Sequence, residues 1–299
     1  MEPIIRIHNL SRRYGKTLAL DGIDFEAGRG KVYGLVGANG AGKTTFIKHI
    51  LGLLRAQQGQ VSVFGLDPVK QTREVLKGVG YLSENRDLPD WMSIQELMRY
   101  TSAFHANWDQ GFCDELLNRF ELDPAQKIGQ LSRGMRAQTG LVAAVAHRPQ
   151  LLVLDEPSSG LDVVVRNDIL NAVVRTISDQ GSTVLFSSHL LDEVERMSDH
   201  VTMIQKGQIL LDGDLEALCD AHRLCEFKFT TALQKPPALP VVLLEGENRS
   251  WRALHKQSDA QFAADIEAID GQVLQTRRAS LEEIFLAYAG HGNREELAA

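Results

Sequence analysis

The chain opens on an alternation, "IIRIHNLSRRYG" at 4–15, that reads as an edge strand and breaks at Gly15. "ALDGIDFEAGRGKVYGLVG" continues as a strand, a glycine-rich turn and a second strand over Val32 to Val36. Helical spacing follows at once in "KTTFIKHILGLL", and "GQVSVFGLD" at 59–67 is another short strand with a turn after it. Residues 91–119 are helical in pattern, with a break at Pro124, and an alanine-rich helix over Met135 to His147 stops before Pro149. "LLVLD" at 151–155 and "STVLFSSH" at 182–189 are short continuous apolar runs, the pattern of strands covered on both faces in a parallel sheet. "HVTMIQKGQILLDG" predicts a hairpin turning at Lys206-Gly207. Strands alternating with helices in this way predict an α/β fold.

After about Ala221 the pattern changes. "EFKFTT" and "PVVLLEG" read as strands around a proline-rich turn, "DAQFAADIEAID" as a helix and "QVLQTRR" as extended chain. "SLEEIFLAYAG" is a helix with Ser280 as N-cap and Glu283 in the capping-box position. The expected organisation is therefore a large domain over 1–220, a small α+β domain over 221–290 and a frayed tail over 291–299.

Composition narrows the class. The 299 residues are 43% hydrophobic and 24% charged, enough for a sizeable core. A formal charge of −7 and a pI near 5.7 disfavour a nucleic-acid binder, and no nucleic-acid partner is expected. Cys113, Cys219 and Cys225 form no metal-spaced set and read as isolated thiols in a reducing compartment. Neither a secretion signal nor an apolar run of the ~20 residues that span a bilayer is present. The chain reads as soluble, so that any membrane part of its work falls to a partner.

The chemistry starts at Gly37-Ala38-Asn39-Gly40-Ala41-Gly42-Lys43-Thr44, a full G-x-x-x-x-G-K-[ST] between an apolar strand and an amphipathic helix. The glycines let backbone N–H groups close round phosphates, Lys43 reaches the β and γ oxygens, and the Thr44 hydroxyl suits Mg²⁺. In "LLVLDEP" a buried strand delivers Asp155, for Mg²⁺, and Glu156, for the attacking water, to the edge where the phosphate loop lies. No guanine-specifying N-K-x-D accompanies them, which disfavours a GTPase. "LSRGMRAQ" at 131–138 is the puzzle, because Ser132 and Gly134 open a helix whose free N–H groups suit a second anion.

The order of these motifs resembles the ATP-binding subunit of ATP-binding-cassette (ABC) transporters over roughly the first 215 residues. "GANGAGKTT", through Thr45, resembles the Walker A loop and "LLVLDEP" the Walker B strand. "SGLD", ending in Asp162, is similar to the D-loop, "SSH", ending in His189, to the switch-histidine loop, and "LSRGM" to the LSGGQ signature. Tyr14 falls where the family places an aromatic under adenine.

The resemblance implies a P-loop ATPase domain, a mixed sheet plus a helical arm, that binds ATP and Mg²⁺. It implies two subunits, identical or related, packed head to tail, so that Ser132, Arg133, Gly134 and Met135 serve the partner's ATP. Glu156 and His189 would then be catalytic, Thr44, Asp155 and Glu84 would hold Mg²⁺, and the loop from Gly37 to Thr45 with Tyr14 would hold ATP. Glu84 stands where the family usually has glutamine. It and "LSRGM", with Arg133 and Met135 in place of Gly and Gln, lean towards export of drugs, antibiotics or small ions.

The resemblance also implies a separate multi-span membrane subunit and a peripheral place on the cytoplasmic face of the membrane. The arm from Glu84 to about Leu122 should meet that subunit. Trp91, Met92, Ile94 and Leu97 either line a groove for a partner helix or pack the arm's own core. The alternative, a soluble ABC-type ATPase acting on ribosomes or DNA, is disfavoured by the single ATPase half and the lack of coiled-coil or zinc insertions. An idle regulatory subunit is disfavoured because Lys43, Asp155, Glu156 and His189 are present together.

Overall fold

The computed structural model describes residues 2–233 and 237–294. The chain divides into two compact units, 1–212 and 213–299.

In the first unit, β1 (Ile5–Tyr14), β2 (Thr17–Ala27) and β4 (Gln58–Val63) form an antiparallel sheet in the order β2-β1-β4. The strand expected at an edge is thus the central one. Alternation reports that one face is buried and says nothing about which neighbours a strand has. A six-stranded sheet is built from β3 (Val32–Val36), β5 (Val79–Leu82), β6 (Leu151–Asp155), β7 (Thr183–Ser188), β8 (His200–Gln205) and β9 (Gln208–Asp214). Its order is β5-β6-β7-β3-β8-β9, with the pairs from β5 to β8 all parallel. Every residue of β3, β6 and β7 is buried, as their uninterrupted apolar runs require. Because β7 lies between β6 and β3, their C-terminal ends open on one edge. β8 and β9 join at Lys206-Gly207, both at positive φ, as a tight hairpin turn demands.

Helix α1 (Lys43–Ile50) packs Phe46, Ile47 and Ile50 into the core shared by the two sheets, with the rings of Phe25 and Phe46 edge to face at 5.3 Å. Helix α2 (Thr72–Lys77) leads into β5. Residues 91–119, helical in pattern, carry two helices, α3 (Ile94–Ser102) and α4 (Gln110–Arg119). Ser93 and Glu96 form a capping box at the start of α3, and the Asp109 carboxylate accepts the Phe112 N–H at 2.9 Å to start α4 anew. Met92, Ile94 and Leu97 are buried in the arm itself, whereas Trp91 is 72% exposed. The question of groove or core therefore resolves to core for three of the four residues.

Helix α5 (Arg133–Val145) lies against β5 so closely that a Cβ on Gly80 would collide with the Ala144 carbonyl oxygen, which only glycine avoids. Helices α6 (Val163–Gln180) and α7 (Leu191–Met197) follow β6 and β7. Among the described residues no helix is long and apolar enough to cross a membrane.

In the second unit, α8 (Leu215–Ala221) precedes a three-stranded antiparallel sheet. Its middle strand, β10 (Arg223–Leu233), pairs with β11 (Leu243–His255) and β12 (Gly271–Arg278). Helices α9 (Asp259–Glu267) and α10 (Leu281–Arg294) complete it, and Phe227, Trp251, Phe262 and Ile266 pack in its core. Ser280 and Glu283 form the expected capping box, with bonds of 2.9 and 3.3 Å. α10 continues to Arg294, into the stretch expected as a frayed tail, since glycines at 290 and 292 weaken a helix without removing its hydrogen bonds. The rest of that stretch, 295–299, lies outside the described residues.

Candidate active site

The loop after β3 turns into α1 through Gly42, whose φ of 115° and approach to the Ala19 carbonyl exclude a side chain. Gly42 is the N-cap of α1 and supplies no capping side chain, so the helix opens at Lys43, Thr44 and Thr45 without an N-cap bond. Ala38, Asn39, Gly40, Ala41, Gly42, Lys43, Thr44 and Thr45 line a cavity of about 260 Å³ together with Glu84 and Glu156. Gly37 begins this loop. An uncapped helix start with a positive dipole end suits the oxygens of a nucleotide phosphate.

Lys43 is buried and its Nζ donates to the Gly37 carbonyl at 2.6 Å and the Ala38 carbonyl at 3.4 Å. The same Nζ lies 3.1 Å from Glu156 Oε1. That contact is an ion pair by distance only, because Oε1 has no aligned hydrogen-bond donor. Oε1 is therefore a buried acceptor with spare capacity. His189 Nδ1 lies 2.7 Å from the other oxygen, Oε2, and carries the proton there while Glu156 is ionised. Glu156 itself has a left-handed backbone, φ 49°, uncommon for any residue but glycine or asparagine and a mark of functional sites.

Ser187, on the neighbouring strand, donates its hydroxyl to Asp155 Oδ1 at 2.7 Å and accepts the Glu156 N–H at 2.9 Å. One side chain thus fixes both acidic residues. Sequence reasoning passed over it, yet two serines closing an apolar, fully buried strand had to find partners.

A second cavity, of about 560 Å³, is lined by Thr44, Glu84, Asp87 and Asp155 among others. Burial, and after it the negative charges of Asp155, Asp87 and Glu84, push the Tyr81 phenol up to about 12. The Thr44 hydroxyl and the Asp155 and Glu84 carboxylates share this cavity, which Lys48 and Arg86 line as well, and together they offer oxygen ligands for a divalent cation. Among the described residues no set of three or more His, Cys, Asp or Glu is placed to hold a metal by itself.

Other expected residues lie apart. Ser132 caps α5 by accepting the Met135 N–H at 3.2 Å, and neither it, Arg133, Gly134 nor Met135 lines the phosphate-loop cavity. Gly134 faces Val165 of α6, so the helix start and the D-loop region adjoin. The Asp162 carboxylate accepts the Val164 and Val165 N–H groups at 2.9 and 3.0 Å and starts α6. Tyr14 is 45% exposed at the end of β1, with the Arg12 guanidinium 4.8 Å from its ring centre, and it too stands outside the cavity.

Comparison with known proteins gives the family. Residues 20–159 match the model of the ABC transporter family. The bacitracin transport ATP-binding protein BcrA of Bacillus licheniformis is 32% identical over 75% of this chain and 74% of its own length. The daunorubicin resistance ATP-binding protein DrrA3 of Streptomyces coeruleorubidus is 30% identical over 99% of this chain and 98% of its own. The solved structure of an ABC transporter ATP-binding subunit superposes with a TM-score of 0.67 at 26% identity, covering 73% of this chain and 92% of that one. On the identity and coverage of these matches, the chain belongs to the ABC transporter family, as one of its ATP-binding, ATP-hydrolysing subunits.

Proposed function

We propose that two such subunits close on two ATP molecules and, by hydrolysing them, drive export through a separate multi-span membrane subunit. The observation that carries the hydrolytic part is the meeting of Lys43, Glu156 and His189 beside the phosphate loop. The unit over 1–212 would be the ATP-binding domain and the unit over 213–299 an accessory domain, the boundary falling a few residues before the expected 220 and α10 reaching into the expected tail.

In this reading the amides from Gly37 to Thr45 and the Lys43 ammonium bind the phosphates, and Tyr14 stacks on adenine. Bound Mg²⁺ would neutralise charge on the phosphate oxygens, with Thr44, Asp155 and Glu84 as the residues to hold it. Glu156 takes a proton from the attacking water. His189 orients the Glu156 carboxylate through Oε2 and reaches towards the γ-phosphate. Ser132, Arg133, Gly134 and Met135 of one subunit, with Asp162 beside them, would serve the other's nucleotide. Ser132 Oγ accepts a bond within its own helix but keeps its hydroxyl proton to donate. A dimeric ATP-binding cassette bound to ADP and Pi, of the same fold at a TM-score of 0.63, supports the two-subunit arrangement.

Export is supported by the relatives named for bacitracin transport and daunorubicin resistance, and by Glu84 and the "LSRGM" signature. Trp91, Tyr100 and Phe104, exposed on the arm, give the membrane subunit an aromatic surface. The place of work would be the cytoplasmic face of the membrane.

The test is capture from detergent-solubilised membranes of the source cells, with tagged Glu156→Gln protein and ATP·Mg²⁺. The expected result is a multi-span membrane protein retained only with ATP. Ribosomal or DNA-associated proteins in its place would overturn the transport reading. Glu84→Gln tests the metal site. Losing one carboxylate near the cation should raise the Mg²⁺ needed for half-maximal turnover by about threefold to tenfold. An unchanged Mg²⁺ titration would remove Glu84 from the site.

A further inference from the structure

Directly after Glu156 comes a turn, Pro157 to Ser159, held by two buried charges of opposite sign. Arg86 is 7% exposed and its guanidinium donates from one nitrogen to the Pro157 carbonyl at 3.2 Å and the Ser159 carbonyl at 2.7 Å. Between those two carbonyls, Ser158 donates its hydroxyl to Glu193 Oε2 at 2.7 Å. Glu193 is 1% exposed on α7, accepts the Ser188 hydroxyl at 3.1 Å, and pairs through Oε1 with Arg166 of α6 at 3.2 Å. Three consecutive residues are thus tied alternately to a cation and an anion, and the residue just before them carries the left-handed φ of 49°.

The tethers start from informative places. Arg86 stands two residues after Glu84, which lines the phosphate-loop cavity, and its own backbone is left-handed at φ 52°. Ser188, tied to Glu193, directly precedes His189. Burying a guanidinium is unfavourable, and here burial, then the neighbouring Arg133, draw Arg86 below the ordinary arginine range while Glu84 opposes them. Among the described residues its Nε has no hydrogen-bond partner. A core made only for stability has no use for such a group, because well-packed apolar side chains of similar volume serve as well or better.

We propose that Arg86 is a positioning residue for hydrolysis: its bonds to the Pro157 and Ser159 carbonyls, together with the Ser158–Glu193 bond, hold Glu156 in its left-handed conformation and aim its carboxylate. The proposal rests on the reading of Glu156 as the general base. Through Arg86 the loop that carries Glu84 and the turn that carries Glu156 move as one piece, and through Glu193 so does the His189 loop.

The experiment measures steady-state ATP turnover, affinity for a fluorescent ATP analogue and thermal melting for the full chain and its variants. Misplacing a reacting group by about 1 Å costs on the order of 10²-fold, so Arg86→Met should lower kcat by about 10-fold to 10²-fold. KM and analogue affinity should stay within about threefold of the wild type, the pattern of an interaction used only in the transition state. Arg86→Lys keeps the charge and one compact donor and should fall between. In Arg86→Ala, millimolar guanidinium should raise kcat, with no such rise in the wild type.

A kcat within about twofold of wild type for Arg86→Met, or a loss of kcat matched by an equal loss of analogue affinity, would overturn the proposal. If Arg86→Met does not fold, Arg86→Lys and Ser158→Ala decide it on the same two readouts. An inactive wild type, or a Glu156→Gln protein as fast as wild type, would instead sink the general-base reading. An active wild type, a slow Glu156→Gln and normal Arg86 variants would sink this inference alone.

Discussion

Glutamine at position 156 is expected to leave ATP bound and to slow its cleavage by about 10²-fold or more, the range of a positioned general base. The substitution keeps shape and volume. Its amide oxygen still accepts from His189 Nδ1, so the 2.7 Å contact survives. What disappears is the negative charge beside Lys43, 3.1 Å away, and the basicity that takes a proton from water. Lys43 then has no carboxylate competing with the γ-phosphate for its ammonium, and ATP affinity should hold or rise. Single-turnover hydrolysis separates the steps, with unchanged binding amplitude and a chemical rate that collapses. If two subunits close on ATP, the variant should also elute as a dimer with ATP·Mg²⁺ and as a monomer without it. Hydrolysis at the wild-type rate would show that the proton goes elsewhere.

Legibility divided along sequence distance. The phosphate loop was readable because its chemistry lies within eight consecutive residues, and its flanking strand and helix have strong periodicity. Asp155 and Glu156 were readable from the apolar strand that ends on them. The strand order was not, since nothing local states that β7 lies between β6 and β3, and that order is what brings Ser187 and His189 to the two acids. Helix α6 went unread because it opens on Val163, Val164 and Val165, poor helix formers, and depends on the Asp162 carboxylate to start. β11 runs on through Trp251 to His255 where polar residues blur the alternation, and it is pairing with β10 that defines it. Arg86 gave no signal at all. An arginine in a polar loop reads as solvated until the fold folds the carbonyls of Pro157 and Ser159 over it.

Lys43→Met is expected to abolish nucleotide binding at ordinary concentrations and also to weaken the fold, for two separable reasons. Hydrogen bonds to a charged partner contribute about 1.5–3 kcal/mol each, so losing two phosphate contacts should weaken ATP binding by about 10²-fold or more. The second effect comes from Glu156. Lys43 and Glu156 are both buried, and removing one member of a buried pair costs about 3–5 kcal/mol because the other charge is stranded. His189 remains on Oε2, which puts the expected loss near the bottom of that range. The two effects part in the double variant Lys43→Met/Glu156→Gln, where no charge is stranded. Melting should recover most of what Lys43→Met lost, while affinity for the fluorescent ATP analogue stays poor. Tight analogue binding by Lys43→Met would refute the phosphate role of the lysine. A melting loss that the second substitution fails to restore would mean that Lys43 supports the loop chiefly through the Gly37 and Ala38 carbonyls, and that the ion pair adds little to the fold.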